Sequence, residues 1–93
     1  MTPDQIAAAL QFRWEPPQSR YGTGERARIG RIGELAYWWA AERSRDDPDK
    51  NPCAASVLGY RSKSRFATPD EAKAWCERNA RKLIAEALTD LLP

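Results

Sequence analysis

The densest row of charge in this chain is Arg61-Ser62-Lys63-Ser64-Arg65, three cations alternating with two serines. In an extended segment that alternation puts Arg61, Lys63 and Arg65 on one side, spaced to meet successive phosphates of a nucleic acid. The same pattern also suits a plain solvated linker. Arg26, Arg28 and Arg31 add to the basic character if the strand that carries them lies beside this segment. Trp38, Trp39 and Tyr60 supply the other reactive surface: flat rings on which a base stacks, or anchors for a protein partner. Adjacent Trp38 and Trp39 must point to opposite faces of a strand. One of them is therefore covered by a helix other than the last, or exposed for a partner.

Other chemistries find little support. The chain has no histidine, which removes the commonest general base and the commonest metal ligand. Cys53 and Cys76 are too few for a disulfide framework and read as reduced, inert thiols. Asp47, Asp49 and Asn51 open with the spacing of a calcium loop, but Pro52 and Leu58 stand where that loop needs Gly and a bidentate Glu. Tyr21-Gly22-Thr23-Gly24 is a lone Gly-x-Gly with no preceding strand, and reads as a flexible loop. The expectation is a protein that is not an enzyme and takes no metal, cofactor or small-molecule substrate.

The elements that must position these residues follow from local signals. Thr68-Pro69-Asp70-Glu71 combines a Thr cap, Pro at the first helical position and a Glu placed for a capping box, so a helix starts at Pro69. From there Ala72, Trp75, Cys76, Ala80, Leu83, Ile84, Ala87, Leu88 and Leu91 trace one apolar stripe, with Trp75 expected in the core. Thr2-Pro3-Asp4-Gln5 repeats the start signal and opens a short helix ending near Leu10. Glu15-Pro16-Pro17 then ends regular structure. Between the helices, aromatic and β-branched residues predict a meander of three strands near 26–32, 35–44 and 53–60. Gly33-Glu34 makes the first turn and the Asp- and Pro-rich residues 44–52 the second. Residues 34–42 also have good helix propensity, but are read as strand. The fold class is α+β: a short N-terminal helix, a three-stranded antiparallel meander and a long amphipathic C-terminal helix on the sheet. It is one domain over 1–93, divided into 1–25, 26–67 and 68–92.

The formal net charge of +2 is too small to establish a polyanion partner. Its distribution is more telling, since residues 13–45 carry seven Arg against four Glu while 46–51 carry three Asp against one Lys. The apolar run Ile6 to Leu10 is too short for a membrane span and lacks the basic flank of a signal peptide, so a cytoplasmic protein is expected, without membrane contact.

With these elements in place, Trp39-Ala40-Ala41-Glu42, Asp47-Pro48, Leu58-Gly59, Phe66 to Ala72 and Ala80-Arg81-Lys82-Leu83 resemble the DNA-binding domain of plant ethylene-response factors, whose fold is shared by the arm-binding domain of phage-type integrases. The resemblance covers about residues 28–83. It implies three antiparallel strands on one helix with the sheet in the major groove, and it carries over Arg28, Arg31 and Glu42 as DNA contacts. Two departures stand out: Ala55 and Val57 occupy the third-strand places where that family has an Arg and a Trp touching DNA, and a longer segment separates Gly59 from Phe66. The order helix, three strands, helix is also that of the double-stranded-RNA-binding domain, whose basic cluster is replaced here by acidic Pro69-Asp70-Glu71.

Two functions follow as expectations. The first is a DNA- or RNA-binding module using Arg28, Arg31, Glu42, Arg61, Lys63 and Arg65. The second is a protein-protein interaction module anchored by Trp38, Trp39 and Tyr60, similar to small phage or prophage proteins that block a host enzyme or defence complex, such as anti-CRISPR proteins.

Overall fold

The computed structural model describes residues 2–16, 23–29, 33–40 and 52–92. Both cap signals start helices. Helix α1 is Pro3–Ala8, where the Thr2 hydroxyl accepts from the Gln5 backbone N–H (3.1 Å) and the Gln5 side chain accepts from the Thr2 N–H (2.9 Å). Two otherwise unpaired donors are thereby satisfied. Six residues do not hold a helix alone, and α1 persists by docking on the C-terminal helix with Ala7 buried. That second helix, α2, is Pro69–Leu91, about 34 Å long at the standard rise. The Thr68 hydroxyl accepts from the Glu71 N–H (3.2 Å), as expected, but the Glu71 carboxylate reaches one residue further back and accepts from the Ala67 N–H (3.1 Å).

The sheet has five antiparallel strands rather than three, ordered as they occur in the chain: β1 Trp14–Glu15, β2 Glu25–Ile29, β3 Gly33–Ala40, β4 Cys53–Val57 and β5 Tyr60–Arg61. Trp14 and Glu15 pair with Ala27 and Arg26, and Pro16 ends that strand rather than preventing it. The strand expected over 53–60 is cut by Leu58 and Gly59, whose φ values of 49° and 86° make a two-residue turn of the mirror-image kind that suits hairpins. Tyr60 and Arg61 then run back along Val57 and Ser56. The expected first turn is also displaced: Gly33 and Glu34 already belong to β3, opposite Ile29 and Arg28. The connecting residues 30–32, and residues 41–51 with most of the expected second loop, lie outside the described residues. Residues 34–40 are strand, against their helix propensity.

Register decides which side chains face α2. Ala27, Ala36 and Val57 form one row, with Trp38 opposite Ala55 and Ala40 opposite Cys53 in the next two. Onto this face α2 lays Ala72, Cys76 and Ala80, four residues apart and fully buried. The facing side chains are small, so helix and sheet approach closely. A bulge in the β2–β3 ladder gives Leu35 no partner on β2 and lets Leu35 and Ala36 both be buried. Trp75, expected in the core, is half-buried at its rim and tilts against Phe66 (5.9 Å between ring centroids). The stripe fails at its end, where Leu91 is 80% exposed. Helix α1 packs on α2 and makes no packing contact with the sheet, and the Arg81 guanidinium donates to the Leu10 carbonyl (3.0 Å). No described helix is long and apolar enough to cross a membrane.

Candidate nucleic-acid interface

The alternation that buries one face of the sheet builds the other. Glu15, Arg26, Tyr37, Ser56 and Arg61 form a row across all five strands on the face away from α2, and Trp39 stands opposite Ala54 on that same face. Among the described residues, both helices lie on the far side. Two residues apart on β3, Tyr37 and Trp39 stack with ring centroids 5.4 Å apart and planes 18° from parallel. Their placement is set by the residues before β2. The Tyr37 hydroxyl donates to the Thr23 carbonyl (2.8 Å), and the Thr23 hydroxyl accepts from the Ala40 N–H (3.1 Å). Gly24 makes that approach possible: at φ 89°, a Cβ there would lie 1.8 Å from the Trp38 carbonyl oxygen. Thr23-Gly24, read from sequence as part of a flexible loop, instead holds the end of β3.

Arg61 projects from β5 across β4, where Ala54 and Ser56 are small, and its guanidinium lies 5.2 Å from the Trp39 ring centroid, a cation–π distance. The segment after it is not extended. The Ser62 N–H donates to the Ala55 carbonyl (2.9 Å), the Ser62 hydroxyl donates to the Ser64 carbonyl (2.8 Å), and Phe66 rejoins β4 through two backbone bonds with Cys53 (3.0 and 2.7 Å). The serines thus shape an arch along the edge of β4 rather than spacing cations on a straight strand. Arg61, Lys63 and Arg65 still converge: with Trp39 and Ala54 they line a cleft of about 300 Å³ on the helix-free side.

Four of the expected residues therefore meet, namely Trp39, Arg61, Lys63 and Arg65. Arg28 is exposed, but it pairs with Glu34, five residues along β3 from Trp39, or roughly 16 Å at the rise of a strand. Trp38 faces α2, half-buried, and its indole N–H donates to Glu25 (3.0 Å). Tyr60 sits opposite Val57 on the helix-facing side of the edge strand, 67% exposed. Arg31 and Glu42 lie outside the described residues, as do Asp47, Asp49 and Asn51. Ala55 and Val57 are completely buried under α2. Tyr37, which completes the aromatic pair, was missed by the sequence reading, although Tyr37-x-Trp39 carries the two-residue period of one strand face.

No protein-family model, curated protein or solved structure matches this chain. Function must follow from the cleft's chemistry. Neither thiol is a ready nucleophile: burial pushes Cys76 up to about 12, and burial, with the charge of Glu71 adding, also raises Cys53. Both are buried free cysteines. Glu25 is held below the ordinary carboxyl value by its hydrogen bond with Lys73 against the opposing effect of burial, with the Trp38 indole assisting. Lys73 also lies over the Trp14 ring (5.9 Å), so this cluster joins β1, β2, β3 and α2 on the helix side, away from the cleft. What the cleft offers is three cations beside an aromatic surface, which suits recognition of a phosphorylated, planar ligand.

Proposed function

We propose that this chain is a non-enzymatic module that binds nucleic acid through the Trp39 cleft and the cationic arch beside it. The observation that carries the reading is the convergence of Arg61, Lys63 and Arg65 on Trp39, on the face of the sheet that neither described helix covers. Cations of this kind contact phosphates and release counterions, which supplies affinity without sequence information. Arg28 lies on the same face by strand alternation and adds a contact further along the backbone. By the resemblance to ethylene-response factors, Arg31 and Glu42 join it. Because Ala55 and Val57 are buried, neither can read bases, and β4 turns only Ala54 and Ser56 to the helix-free face.

The test is fluorescence anisotropy with labelled DNA and RNA at low and moderate salt, comparing wild type with the Arg61→Glu, Lys63→Glu, Arg65→Glu triple variant. All three residues are exposed, so the variant should keep the wild-type circular dichroism and lose binding. Absence of any wild-type binding at low salt would overturn the proposal.

A second reading, a protein-binding module, is favoured by one specific feature. Tyr60 is 67% exposed and, with Trp75 and Leu83, borders a depression of about 240 Å³ between β5 and α2. An aromatic at such an edge is the type of anchor protein interfaces use. Binding through it should vary little with salt, which separates it from phosphate contact.

A further inference from the structure

We infer that the occupant of the Trp39 cleft is a single-stranded polynucleotide, one of whose bases enters the cleft and stacks on the indole while its flanking phosphates meet the arch. This rests on the nucleic-acid reading above and narrows it. Three observations point there. Trp39 is only partly buried, stacked with Tyr37 and with the Arg61 guanidinium over its ring, so the indole is held in place before any ligand arrives. The floor beside it is Ala54, with Ser56 next along the same face of β4, and these small side chains leave the trough open. At about 300 Å³ the cleft stands at the lower end of small-ligand sites, which suits one ring system rather than a duplex.

Charge selects among planar ligands. Lys63 and Arg65 are exposed on the arch at the cleft wall, which fits an occupant with anionic groups on either side of the ring. A polynucleotide has that pattern at every residue. A duplex keeps its base faces inside its own stack and shows this site only edges and backbone, whereas a single strand presents base faces to aromatic side chains. A preformed aromatic pair with a cationic wall therefore favours the unpaired strand.

The inference is tested by anisotropy on four labelled probes at one salt concentration: oligothymidine, oligouridine, an abasic deoxyribose-phosphate oligomer of equal length, and a mixed-sequence hairpin duplex. The expected result is binding of at least one single strand roughly 10-fold or more tighter than the duplex and the abasic oligomer, with the better of the two strands identifying the sugar. Trp39→Ala should reduce single-strand affinity by about 10-fold and leave the salt dependence unchanged, since it removes a ring and no charge. Ala54→Ile serves as the independent variant: it fills the trough on the helix-free face, keeps a good strand former and leaves the core untouched, and it should weaken the single strand similarly. Equal or tighter binding of the duplex or the abasic oligomer would overturn the inference while leaving the nucleic-acid reading intact. Full single-strand affinity in Ala54→Ile would also overturn it. Failure of all four probes to bind at low salt removes both.

Discussion

Replacing Lys63 by Ala is the sharpest probe of phosphate contact, because Lys63 is exposed on the arch and carries one charge into the cleft wall. Three cations at the cleft set the scale. For a single strand, each neutralised phosphate contributes about 0.7 to the slope of log affinity against log salt, so three give a slope near −2. Raising salt from about 50 to 200 mM then weakens wild type by roughly 20-fold, and Lys63→Ala by only about 7-fold. At low salt, Lys63→Ala should lose affinity equally on every sequence, since a phosphate contact carries no base information. Arg61→Ala should lose more at the same change in slope, because it also removes the guanidinium from Trp39. Anisotropy titrations at four or more salt concentrations, with each variant's melting curve as a control, measure both quantities. A wild-type slope near zero, or a Lys63→Ala slope equal to that of wild type, would refute the assignment of these side chains to phosphates.

Gly24→Ala should destabilise the fold by about 2 to 4 kcal/mol, since its Cβ collides with the Trp38 carbonyl at a φ that side chains avoid; a melting temperature within a few degrees of wild type would contradict that geometry. Thr68→Ala removes the acceptor of the Glu71 N–H and should cost roughly 1 kcal/mol in denaturant titration, an unchanged midpoint counting against the cap. Lys73 holds Glu25 below the ordinary carboxyl value, so their pairing stabilises the fold above that value and the benefit is lost as pH falls through the lowered one. Glu25→Gln should thus cost up to about 1 kcal/mol at neutral pH and almost nothing in strong acid, and a cost independent of pH would show that the charge is irrelevant. With Cys76 fully buried and its thiol near 12, maleimide should label it only as fast as the protein unfolds, whereas prompt labelling of the native protein would place it at the surface.

How far the fold was legible depends on whether its cause is local. The caps at Thr2 and Thr68 are local, and each helix begins at the expected proline. The burial of Ala72, Cys76 and Ala80 followed from helical period alone, but the half-exposure of Trp75 did not, because how far the helix overruns the sheet is a property of the packing. Strands β1 and β5 were hidden for a different reason. Two-residue strands have no period to detect, and the turn before β5 places Leu58, not Asn or Gly, in the left-handed region. The cationic row was visible in its residue types and misread in its conformation, since the Ser62 hydroxyl closes on the Ser64 carbonyl and bends the segment. Arg28 belonged to the right face and the wrong end of it, a matter of register that no stretch of β2 reveals alone.

The side of the sheet on which Trp39 stands is the step that joins fold to function. Sequence alone says that Trp38 and Trp39 diverge, and α2 decides which is which: its ridge of small residues lies against Ala36, Ala55 and Val57, so Trp38 shares the packed face and Trp39 the other. The core then depends on small side chains brought close together, and none of Arg61, Lys63 and Arg65 takes part in it. Changes to those three therefore leave the core intact. Tyr37 is different, because its hydroxyl bond to the Thr23 carbonyl ties the aromatic pair to the junction that Gly24 permits, and a lesion there disturbs ligand surface and sheet together. Loss of binding with stability retained in the arch variants, and loss of both in Gly24→Ala, is the pattern this division of labour requires.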